Sequence, residues 1–98
     1  GSTMYIPYRE YRVLDPTVEE KDGNFHATGE IRNTGGEYTR PPKIVVSIYD
    51  RTGKIIGCGH YVCIERAETY SFEIEETLLG IIDHWEFYVE EMIGYVRE

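Results

Sequence analysis

Cys58, His60 and Cys63 are the residues of this chain whose types and spacing come nearest to a chemistry. Thiolates with an imidazole are the donors that zinc takes. Their setting is a β-branched, Gly-containing run, and on an extended chain successive side chains point to opposite faces. Cys58 and His60 then share a face and Cys63 points away. No C-x-x-C pair is present, and a bulge at Gly57 or Gly59 would be needed to gather the three. A Cys58–Cys63 disulfide is excluded on a regular strand, where the separation is ~16 Å against the ~7 Å limit for bridged Cα atoms. An unligated thiol here behaves as a small hydrophobe. The carboxylates are the second set. Glu73, Glu75 and Glu76 would face Glu86, Glu90 and Glu91 if the last two strands pair, and paired carboxylates serve acid–base chemistry or calcium. They alternate with apolar residues and no Asp-rich loop accompanies them, which describes a solvated acidic face. His26 and His84 stand apart in sequence. No Ser/His/Asp arrangement and no phosphate-cradling Gly loop has motif support, and Asn33-Thr34-Gly35 is not a glycosylation acceptor. The reading is of a protein that is not an enzyme, with no catalytic residues, no cofactor and no metal.

The elements that must carry these residues are strands. Lys43 to Tyr49 is β-branched and short, preceded by Pro41-Pro42 and followed by Asp50-Arg51-Thr52-Gly53. Asp at the first position of a turn accepts backbone N–H bonds and Gly at the fourth tolerates positive φ. The segment therefore reads as strand, tight turn and a second strand over 55–64, with Ile44, Val46 and Ile48 on one face. Phe25, Ala27, Gly29 and Ile31 alternate with His26, Thr28, Glu30 and Arg32, the pattern of a half-buried strand, and Lys21-Asp22-Gly23-Asn24 before it is a turn signal. Tyr70, Phe72 and Ile74 alternate with Ser71, Glu73 and Glu75, and Trp85, Phe87 and Val89 with Glu86, Tyr88 and Glu90. Tyr5, Ile6, Tyr8, Tyr11 and Val13 suggest an edge strand, since Pro7 and Pro16 forbid central ladder positions, and Asp15-Pro16 reads as a break. The paired apolar residues over 77–83 suggest a short helical turn. Segments 37–42 and 77–84 are where the chain would change sheets. The expected core is Phe25, Ala27, Ile31, Val46, Ile48, Val62, Phe72, Ile74, Phe87 and Val89, with Trp85 at its rim. About seven short strands separated by turn signals give an all-β fold, an antiparallel β-sandwich.

The chain has 98 residues, enough for one domain with its own core. Residues 1–3 read as an expression-tag remnant and 4–98 as a single sandwich domain. The net charge of −8 repels phosphate backbones and anionic lipid, so nucleic acid is not an expected partner. No apolar run approaches the ~20 residues of a membrane span, so direct insertion of this domain is not expected. Tyr is abundant, with nine in the chain. Tyr5, Tyr8, Tyr11 and Tyr38 are the aromatics least well placed for the core and are the expected interaction surface.

Gly29-Glu30-Ile31-Arg32-Asn33 resembles the G-x-V-x-N strand of the FxLYD family, and Val46-Ser47-Ile48-Tyr49-Asp50 is similar to the pentad that names it. Gly53, Ile55-Ile56-Gly57 and the 70–74 strand follow in the family's order. The resemblance spans about 25–89. It departs at Ile64-Glu65-Arg66-Ala67-Glu68, where the family has a Pro-Gly-like turn. The resemblance implies an immunoglobulin-like sandwich in a prokaryotic surface protein, placed in the cell envelope or outside it by a lipid anchor or membrane helix elsewhere in the full-length protein. It brings no catalytic residues. The function expected is an interaction or accessory domain binding a protein partner, or itself, through a sheet edge. The alternative is a metal-binding domain using Cys58, His60 and Cys63. Two unpaired Cys also suit a cytoplasmic location.

Overall fold

The computed structural model describes residues 3–6, 11–34, 41–65 and 67–91, with the backbone alone at 3–6 and 91. Seven segments of strand follow in order: β1 (Thr3–Ile6), β2 (Tyr11–Lys21), β3 (Asn24–Asn33), β4 (Pro42–Tyr49), β5 (Ile55–Val62), β6 (Thr69–Thr77) and β7 (His84–Glu91). They form two sheets, ordered β1-β7-β4-β5 and β2-β3-β6. All pairings are antiparallel except β1 with β7, which is parallel. The chain changes sheets between β1 and β2, between β3 and β4, between β5 and β6, and again over 78–83.

Local chemistry sets the turns. At Asp22 and Gly23 both φ angles are positive (54° and 84°), the geometry of a type I′ hairpin whose twist matches the flanking strands. At 50–53 the Gly53 N–H bonds to the Asp50 carbonyl at 3.0 Å. The Asp50 carboxylate also accepts from Thr52 N–H (2.8 Å), Thr52 Oγ1 (2.6 Å) and Lys54 N–H (3.0 Å). The anticipated β4–β5 turn is present and its first residue holds it closed. Asp15-Pro16 does not end a strand. β2 runs through it with a register shift between Leu14 and Thr17, where Asp15 takes φ 50°. An edge strand accommodates Pro at a bulge because no ladder bond is lost there.

The two sheets share one core, to which inward-facing positions of β2 to β7 contribute. Phe25, Ala27 and Ile31 from β3, Ile44, Val46 and Ile48 from β4, Phe72 and Ile74 from β6, and Phe87 and Val89 from β7 are all buried. Phe72 and Phe87 meet across the gap at 5.7 Å between ring centroids, within the range of favourable tilted aromatic pairs. Trp85 packs partly buried against this cluster. Residues 78–83 contain no helix. They pass as an irregular crossover, with Leu78 N–H on the Gly23 carbonyl and Leu79 N–H on the Ile56 carbonyl. Those bonds, with that of Asp83 N–H to the Tyr49 carbonyl, tie the ends of the segment to other elements rather than to a helical turn.

Two residues of the core reading change places. Val62 is 39% exposed, whereas Cys63 is 5% exposed and belongs to the core. The cause is a bulge in β5. Ile48 pairs with Gly57 but Tyr49 pairs with Ile55, so Ile56 is an extra residue that inverts the alternation beyond it.

Candidate functional site

The structure does not bring Cys58, His60 and Cys63 together. Cys58 and His60 project from the outer face of β5, while Cys63 turns inward. No group of His, Cys, Asp and Glu among the described residues is placed to hold a metal ion. Burial pushes the Cys63 thiol up to about 11, so it is a neutral packing residue near neutral pH. Both cysteines are free thiols.

The carboxylate rows separate for a different reason. β6 pairs with β3 and β7 with β4, so the last two strands lie in different sheets. Glu73 and Glu75 line the outer face of one sheet and Glu86 and Glu90 that of the other. The expected opposition of these rows is therefore corrected by the crossover at 78–83. The histidines find nearer partners. His26 Nε2 lies 2.5 Å from Glu73 Oε2 on the neighbouring strand. His84 bonds Asp83 at 2.8 Å and stacks on Tyr49 with ring centroids 4.9 Å apart. Tyr49 donates to Glu86 at 2.8 Å. That bond, with burial adding to it, holds the Tyr49 hydroxyl above the usual phenol range. The His26–Glu73, Tyr49–His84 and Tyr49–Glu86 contacts join neighbouring strands.

The tyrosines proposed as a surface divide. Tyr11 is 1% exposed and is a core residue. β2 begins at Tyr11 and alternates inward from it, so positions 11 and 13 face the opposite sheet. Tyr8 and Tyr38 lie outside the described residues, and of Tyr5 only the backbone is described, on β1.

The arrangement with most to offer is an edge that the sequence reading did not single out. β5 is a border strand of its sheet. The Cys63 N–H bonds to the Pro42 carbonyl at 2.9 Å. Bonded and non-bonded pairs alternate along an antiparallel ladder. In the β4–β5 register, Gly57, Gly59 and Tyr61 therefore point their backbone groups at β4. Cys58, His60 and Val62 point theirs away from the sheet. The next outward carbonyl, that of Ile56, is already taken by Leu79 N–H at 2.8 Å. Residues 55–64 contain no Lys, Arg, Asp, Glu or Pro. Ile55 (54%), Tyr61 (38%), Val62 (39%) and Ile64 (85%) are exposed along and beside this edge. A shallow cavity of about 330 Å³ adjoins its far end between Tyr61, Ile64 and Tyr70.

Comparison with family models, with curated proteins and with solved structures returns no match. The functional reading therefore rests on the residues themselves.

Proposed function

We propose that this chain is an immunoglobulin-like β-sandwich serving as a non-enzymatic interaction domain of a surface-anchored prokaryotic protein, and that it works through a sheet edge. The observation that carries the reading is the β5 border. It is uncharged over 55–64 in a chain of net charge −8, and it presents the backbone groups of Cys58, His60 and Val62 outward. Added strands bind such edges by main-chain hydrogen bonds. The strand order supports the immunoglobulin-like part. The order β2-β3-β6 against β1-β7-β4-β5 is compatible with A-B-E against F-C-C′ of such sandwiches, with β1, parallel to β7, outside that comparison. The stretches that resemble the FxLYD family fall on β3 and on β4 with its turn. The exposed ionisable pairs, His26–Glu73 and Asp83–His84, lie on strand faces and a loop and converge on no common pocket, which favours binding over catalysis. The envelope location rests on the resemblance alone.

The test places a photo-cross-linking amino acid at Cys58 or at Ser71, on the β6 border, of the full-length gene product in its own cells. Discrete adducts from Cys58 in the envelope fraction and none from Ser71 are expected. Absence of adducts from both positions contradicts the reading.

A further inference from the structure

We infer that the β5 edge pairs with the β5 edge of a second copy of this chain, antiparallel about a two-fold axis, with His60 opposite His60 of the second copy. The inference rests on the proposed edge-binding role and names the edge and its partner.

The other borders are guarded in the ways that keep sheet edges from pairing. β2 carries the Asp15-Pro16 bulge and then Glu19, Glu20 and Lys21. β6 carries Glu73, Glu75 and Glu76. β1 is only four residues long. β5 has eight residues and no charged residue or Pro, and its single bulge lies at the Ile56 end, where Leu79 already closes it.

A second copy is favoured because the edge is complementary to itself. A His60-centred register uses every outward group from Cys58 to Val62, with Cys58 opposite Val62 of the second copy. It leaves Ile56 out of the pairing. It sets Tyr61 across from Gly59 of the second copy. Gly59 has no side chain to offer there. A Cβ on it would come within 2.6 Å of Ile74 and 3.1 Å of Glu76, so β6 side chains already fill the space on its inner side. The same two-fold brings the exposed Ile64 of one copy to the Ile55–Ile56 end of the other. It also sets Lys54 beside Glu65 of the second copy, which offsets some of the repulsion between two acidic molecules.

The test is sedimentation equilibrium of the whole chain from about 1 µM to about 1 mM. His60→Pro removes an outward N–H and leaves the β4 ladder intact, because His60 does not bond to β4. Val62→Lys puts a charge on the edge. Ser71→Pro makes the equivalent change on β6. A reversible wild-type dimer is expected, weakened about tenfold or more by His60→Pro and by Val62→Lys and unchanged by Ser71→Pro. Circular dichroism of each variant checks that it folds, and Val62→Lys, at an exposed position, carries the test if His60→Pro does not. Oxidation of Val62→Cys is expected to give a covalent dimer through Cys58 of the second copy. A monomer throughout the range overturns the self-pairing, whereas cross-links from Cys58 to a different protein would still uphold the edge-binding reading. A dimer lost in Ser71→Pro and kept in both β5 variants overturns the assignment to β5.

Discussion

Cys63 sits inside the sandwich at 5% exposure, and burial pushes its thiol up to about 11. Cys58 is on the outer face of β5. A maleimide or iodoacetamide at neutral pH is therefore expected to modify Cys58 in the folded protein and Cys63 only after denaturation, as read by peptide mass spectrometry. The raised thiol also sets a pH dependence. The unfolded chain releases this proton near 9.0, while the folded chain holds it to about 11. The stabilisation is complete below 9 and is lost as pH rises toward 11. Against Cys63→Ala, the wild-type urea midpoint is expected to fall by the equivalent of about 2 kcal/mol across that window. At Asp50 the Thr52 hydroxyl and the Lys54 N–H hold the carboxyl below its usual range. Asp50→Ala is expected to lower Tm at neutral pH, and the difference from wild type narrows once acid protonates the native carboxylate. The residue types named Asp50 correctly because its role is local. They misplaced Tyr11 and Val62, whose environments depend on where a strand starts and where a bulge inverts its faces.

β5 and β6 are border strands of different sheets, and they approach closely because Gly59 lacks a side chain. Gly59→Ala is expected to cost about 1–3 kcal/mol through the clash with Ile74, measured by denaturant unfolding. Ile74→Val in the same chain should recover part of that loss, giving a non-zero coupling energy in the double-mutant cycle. The strands β3, β4, β6 and β7 were legible in sequence because each buries one face and exposes the other, so apolar and polar residues alternate. β5 was legible only as a strand. Gly57 and Gly59 take two of its inward positions and a bulge follows Ile55, so the alternation that would have revealed its faces is missing, and the edge it forms is defined by a sheet order that no local pattern encodes.

Among the described residues two sheets enclose one core, with acidic rows on both outer faces and an uncharged eight-residue border at β5. Crossovers were anticipated at 37–42 and 77–84, but the sheet change between β5 and β6 and the pairing of β6 with β3 and of β7 with β4 were not, because strand partners are set by packing over the whole chain. That difference decides the carboxylates, which share no cleft. Zinc added to the purified chain is expected to leave Tm unchanged, since Cys63 faces the core and cannot join Cys58 and His60 without unfolding β5; a stoichiometric zinc content by elemental analysis would restore the metal reading. The central claim, an open β5 border built to take another strand, is tested most directly by amide hydrogen exchange at low and high protein concentration. The N–H groups of Gly57, Gly59 and Tyr61, bonded to β4, should be protected at both concentrations. Those of Cys58, His60 and Val62 should exchange freely when dilute and become protected when concentrated. Rapid exchange of these three at every concentration, with no partner slowing it, would contradict the account.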